Sequence, residues 1–145
     1  HHRRDLLGPL ADALGPRDAV FDRGFVSELG VTDAVFLAHA ADIAALAPQP
    51  DVSVIAAAPT LAFHYSPHLD LITTLRWQSL EYDPGEAGRF LEVRDVWPRL
   101  RVLNVSGCAV DDHRIEALAD GLGTSFPALT DLDVSWNEVT DAGIR

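Results

Sequence analysis

Leu100-Arg-Val-Leu103-Asn-Val105-Ser-Gly-Cys108-Ala-Val110 recurs without a gap, 29 residues on, as Leu129-Thr-Asp-Leu132-Asp-Val134-Ser-Trp-Asn137-Glu-Val139. A weaker copy, Ile72-Thr-Thr-Leu75-Arg-Trp77-Gln-Ser-Leu80-Glu-Tyr82, lies 28 residues before the first. Side chains alternate along a strand, so Leu103 and Val105 are expected to turn inward while Val102, Asn104 and Ser106 stand on an open surface. The same alternation exposes Thr74, Arg76 and Gln78 in the weak copy and Asp131, Asp133 and Ser135 in the last.

A unit of this length cannot bury its apolar face alone and must stack on its neighbours, each strand returning through an outer helix. His113 to Gly123 carries Ile115, Leu118 and Leu122 at helical spacing and predicts such a helix, capped by Asp111 or Asp112 and closed by Gly123. In the preceding unit Asp83-Pro84-Gly85 reads as a turn, and Ala87 to Val96 as a less regular outer helix with Phe90 and Val93 turned in. The spacing L-x-x-L-x-L-x-x-[N/C]-x-L resembles the leucine-rich-repeat signature. The predicted fold class is therefore α/β: a leucine-rich-repeat solenoid with a parallel inner sheet and outer helices, about three repeats filling 61–145, the last incomplete.

Residues 1–60 lack the repeat. Asp5 to Leu14 predicts a short amphipathic helix through Leu6, Leu7, Leu10 and Leu14, stopped by Gly15-Pro16. Val20 to Leu29 predicts a strand or hairpin arm through Val20, Phe21, Phe25 and Val26. Thr32 is placed to cap a helix running to about Leu46, with Phe36, Leu37, Ala40, Ile43 and Ala44 on one face, and Val52 to Ala56 is the next strand. This succession reads as a divergent N-terminal α/β cap that seals the apolar end of the solenoid.

Several strings resemble the bacterial leucine-rich-repeat proteins that carry a repeat-companion domain: Leu7-Gly8-Pro9-Leu10, Arg23-Gly24-Phe25-Val26, Ala34-Val-Phe36-Leu37-Ala-His39-Ala40 running into Leu46-Ala47-Pro48, and Ser66-Pro67-His68-Leu69. The resemblance spans almost the whole chain and implies ribonuclease-inhibitor-like repeats, a GC-rich bacterial source and a companion motif upstream of His1. It implies no activity, since none is established for that family as a class.

The 145 residues, 48% of them hydrophobic, suffice for one ordinary core. Eleven arginines, without a lysine, against 22 acidic residues leave a net charge of −11, which repels phosphate backbones and anionic headgroups, so neither nucleic acid nor membrane is the expected partner. A single cysteine forms no intrachain disulfide and points to a cytoplasmic setting. Val52 to Leu69 is free of Asp, Glu, Lys and Arg but is broken by Pro59 and Pro67, a poor membrane span.

Candidate chemistry is sparse. Cys108 stands in the slot that Asn137 fills one repeat later, where a small side chain bonds the backbone of the bend, and this outweighs a reading as nucleophile. His64 and His68 are four apart, but Pro67 intervenes and no third ligand is in view, so they read as a loop pair; His39 reads as a helix residue. Asp111 and Asp112 are explained by capping, and Asp131 and Asp133 form an acidic patch on the open face rather than an acid–base pair or a Ca²⁺ site. Trp77 and Trp97 are assigned to the core. Trp136 occupies the place of Gly107 and is either an interface anchor or packed on the final turn.

These readings predict a non-enzymatic protein–protein interaction module with a concave, polar and acidic β-face formed by Arg76, Gln78, Asn104, Ser106, Asp131, Asp133 and Trp136. The expected partner is a protein with a basic patch, and no cofactor, metal or catalytic residue is expected. The competing reading makes the chain the recognition arm of a larger enzyme or signalling protein. The strand-to-helix start at Val139 to Arg145 leads one to expect further repeats, or another chain, over the C-terminal edge. An inward Leu132 is expected to cost about 2–5 kcal/mol on truncation to alanine.

Overall fold

A computed structural model describes residues 2–56, 63, 66–77, 97–108 and 111–137. Six strands form one sheet in chain order: β1 (Ala19–Asp22), β2 (Phe25–Thr32), β3 (Asp51–Ala56), β4 (Ile72–Trp77), β5 (Val102–Asn104) and β6 (Asp131–Asp133). β1 and β2 pair antiparallel, and every later pair is parallel. The helices whose bounds lie among the described residues are α1 (His2–Leu7), α2 (Asp33–Ala44) and α3 (Asp112–Gly121), with 3-10 turns at Gly8–Asp12 and Leu69–Leu71.

Local chemistry accounts for the N-terminal elements. The helix expected over Asp5 to Leu14 is instead two pieces, because Gly8 takes a left-handed φ of 55° immediately before Pro9. Arg23 and Gly24 both have positive φ, 51° and 84°, the signature of a two-residue hairpin turn whose twist matches that of its strands. One extra residue on β2, Ser27, makes a bulge whose hydroxyl donates to the Val20 carbonyl at 3.1 Å. Val20, Phe21, Phe25 and Val26 lie in the hairpin expected from the sequence; the first three are exposed, whereas Val26, Leu29 and Val31 face the core. Thr32 accepts from the Val35 amide at 3.2 Å and caps α2, which buries Phe36, Ala40 and Ile43; Ala44, expected on the same face, is exposed.

Alternation then builds the core. Val52, Val54, Ala56, Leu75, Trp77, Leu103 and Val105 are buried on one side of the sheet. Phe36 meets Phe63 edge-on at 6.1 Å, and Phe63 meets Trp97 at 6.5 Å, joining α2 to the approach of β5. Trp97 and Phe126, each preceding a proline and 29 residues apart, are both buried, and the Trp97 amide donates to the Ser125 carbonyl at 2.7 Å. The repeat is thus carried by the returns as well as by the strands.

Asp111 caps α3 by accepting from the Arg114 amide at 3.0 Å. The helix ends at Gly121, two residues before the expected Gly123, where the Gly121 carbonyl collects the amides of Thr124, Ser125 and Phe126. Leu122, expected on the inner face, is 40% exposed, and Phe126 is buried in the core. Leu132, expected inward, is also 40% exposed, and Val134 is half-buried. The Asp83–Gly85 turn, the Ala87–Val96 helix and the domain boundary at residue 60 lie outside the described residues. No described helix is long and apolar enough to cross a membrane.

Candidate functional site

The side of the sheet away from the core carries two continuous rows. Register places Gly30, Ser53, Thr74, Val102 and Asp131 side by side in one, and Thr32, Ile55, Arg76, Asn104 and Asp133 in the other. Small and polar side chains dominate both. Charge is segregated along them: Arg76 is the cation in mid-face, and Asp131 and Asp133 both lie on β6. Neighbouring strands are about 4.8 Å apart, so Arg76 and Asp133 are separated by about 10 Å and interact only weakly through solvent.

Asn104, Arg76, Asp131 and Asp133 therefore do share one face, as the alternation predicts, with Ser106 beyond the end of β5. Gln78 and His64 lie outside the described residues. Sequence reading missed the extension of the face across the cap through Thr32, Ser53 and Ile55; the alternation of Asp51, Ser53 and Ile55 with Val52, Val54 and Ala56 was its signal.

Beyond the strands, two bends follow with matching geometry. Asn104 Oδ1 accepts from the Ser106 amide at 3.0 Å and hydroxyl at 2.7 Å; Asp133 Oδ1 accepts from the Ser135 amide at 3.0 Å and hydroxyl at 2.6 Å. The Ser135 hydroxyl, then its amide, hold the Asp133 carboxyl below its usual pKa, so it stays ionised. The ladder continues through the bends, the Val105 and Gly107 amides donating to the Asp133 and Ser135 carbonyls at 2.9 Å each.

Asn137 ties the two bends together. Its Nδ2 donates to the carbonyls of Val134 at 2.8 Å and Val105 at 2.9 Å, and its Oδ1 accepts from the Cys108 amide at 2.8 Å. Cys108 repeats the inward turn with weaker partners, its thiol reaching the Ser106 and Trp77 carbonyls at 3.4 and 3.5 Å. Burial pushes that thiol from 9.0 up to about 11, so it is protonated near neutrality and a poor nucleophile. His39 lies on α2, with Nδ1 3.2 Å from Asp42. No cluster of three metal-ligating side chains occurs among the described residues.

Trp136 has φ 58° where Gly107 has 65°, and its indole is 91% exposed. Packing on the final turn, the alternative left open by the sequence, is not what the structure shows. Trp77 and Trp97 are in the core, as expected.

What these features define is a mixed α/β chain whose sheet, among the described residues, has one face open, with matching bends after β5 and β6. The family model described as Leucine Rich repeat matches residues 127–145, which supports a leucine-rich-repeat protein. Leucine-rich repeats generally mediate protein–protein interaction and are generally non-catalytic. No curated protein and no solved structure matches the chain.

Proposed function

We propose that the chain is a non-enzymatic interaction module, a short leucine-rich-repeat solenoid with an α/β cap over 1–60, acting in a bacterial cytoplasm. Its concave β-face binds a protein partner through a basic patch. The observation that carries this reading is the pair of rows in continuous register across β2 to β6, mostly small or polar side chains interrupted by Ile55 and Val102, ending in two exposed carboxylates. Such a surface allows close backbone approach, and its polar groups can exchange water for hydrogen bonds to a partner, which offsets their desolvation. It offers the regular open face on which solenoid proteins recognise others.

The test is charge reversal at the tip. A variant carrying Asp131→Lys and Asp133→Lys is expected to lose about tenfold or more in partner affinity, to associate more slowly, and to show a smaller salt dependence. Its Tm should fall by no more than the loss of the two Asp133–Ser135 hydrogen bonds accounts for, and Asp131→Lys alone should leave Tm nearly unchanged, since exposed charges contribute little to stability. Unchanged affinity in that variant places the binding surface elsewhere.

A further inference from the structure

Trp136 is at odds with what folding alone selects at its position. The backbone there is left-handed, as at Gly107, and a bulky L-residue is strained in that region where glycine is not. Hydrogen bonds on both sides hold the turn: the Ser135 carbonyl accepts from Gly107, and the Asn137 side chain spans the bend. With the indole 91% exposed, the strain is not offset by burial. Exposed, conformationally fixed indoles are the common anchors of protein interfaces.

Its neighbours state the chemistry it suits. Asp131 and Asp133 stand two residues apart on one face, about 7 Å along the strand, both exposed. Asp133 is bent over the turn by its bonds to Ser135, the residue before Trp136, and Oδ2 keeps its acceptor capacity. Arg76, two strands inward, disfavours a second cation in mid-face. A planar guanidinium meets these demands together, stacking on an indole while donating to carboxylates, in a way that a compact ammonium does not.

We propose that Trp136, Asp131 and Asp133 capture an arginine side chain of the protein partner at the C-terminal end of the open face. The assignment rests on the interaction reading above and specifies the residue that the partner presents.

The probe is a capped Gly-Arg-Gly-Arg-Gly peptide titrated into the 145-residue chain, with lysine and glutamate versions alongside. Binding is read by calorimetry, and by intrinsic fluorescence in the parent, where Trp77 and Trp97 are buried and Trp136 dominates the solvent-accessible signal. The arginine peptide is expected to bind saturably, about fivefold or more tighter than the lysine peptide, and more weakly as salt rises. Trp136→Gly should lower that affinity about fivefold or more while leaving Tm unchanged or raised. Asp131→Asn with Asp133→Asn should do the same to affinity without lowering Tm. No binding at millimolar peptide, equal binding of the lysine peptide, full affinity in either variant, or a Tm lowered by Trp136→Gly overturns the proposal. Loss of peptide binding alone leaves the interaction reading standing if charge reversal still abolishes partner binding; that reading fails only when partner binding is indifferent to both carboxylates.

Discussion

The bends at Ser106–Cys108 and Ser135–Asn137 share a backbone path and the same serine-to-Asx bonds, yet fill their next two positions differently. The first has Gly107 and a buried thiol; the second has an exposed indole and an amide that reaches back into the first. Positions that must bond the backbone accept only side chains able to reach it. The position that needs only a left-handed φ is free to carry a residue chosen by something outside the chain.

Truncation of the paired leucines breaks the comparison most strongly. Leu103 is fully buried, and Leu103→Ala should cost about 2–5 kcal/mol in denaturant titration. Leu132, its partner one strand on, is 40% exposed, so Leu132→Ala should cost about 1 kcal/mol, below the loss expected from the repeat alone. Equal losses at the two sites would show that β6 is as well covered as β5.

Asn137→Ala removes the amide that joins the bends and leaves the carbonyls of Val105, Val134 and Ser135 and the Cys108 amide without it. A loss of about 1–3 kcal/mol is expected, together with faster hydrogen exchange at Cys108. Trp136→Gly should act in the opposite direction, stabilising the chain by about 1 kcal/mol through relief of the left-handed strain, read as a raised midpoint.

The smallest effect is confined to alkaline pH. The Cys108 thiol titrates near 11 when folded against an ordinary 9.0, so between these values the unfolded chain has released a proton that the folded chain keeps. Stability contributed by the buried neutral thiol is thus present below about pH 9 and declines as pH rises through 11. Cys108→Ala should flatten that decline, measured as the midpoint against pH. Asp133, lowered by Ser135, acts with the opposite sign, its contribution being lost as pH falls through its depressed titration range.

Periodicity of two and of 29 made much of this legible. The inward positions of Leu75, Leu103 and Val105 and the backbone role of Asn137 follow from residue type at a repeated offset, and the caps at Thr32 and at Asp111, one of two candidates, follow from residue type just before a helical pattern. Failures came where the repeat falls silent. Gly8 splits the first helix, and Leu122 leaves the core because α3 stops at Gly121, two residues before the expected Gly123. The alternation along β3 showed which of its side chains turn outward, but that Thr32, Ser53 and Ile55 continue the rows of the repeats is fixed by strand register, which no local pattern states.

Carboxyl footprinting of the chain, alone and with its captured partner, tests the functional reading most directly. Carbodiimide labelling should fall on binding at Asp131 and Asp133 on the open face and stay unchanged at Glu116 and Asp120, which are exposed on α3. Protection of Glu116 and Asp120, with Asp131 and Asp133 still fully labelled, would contradict it.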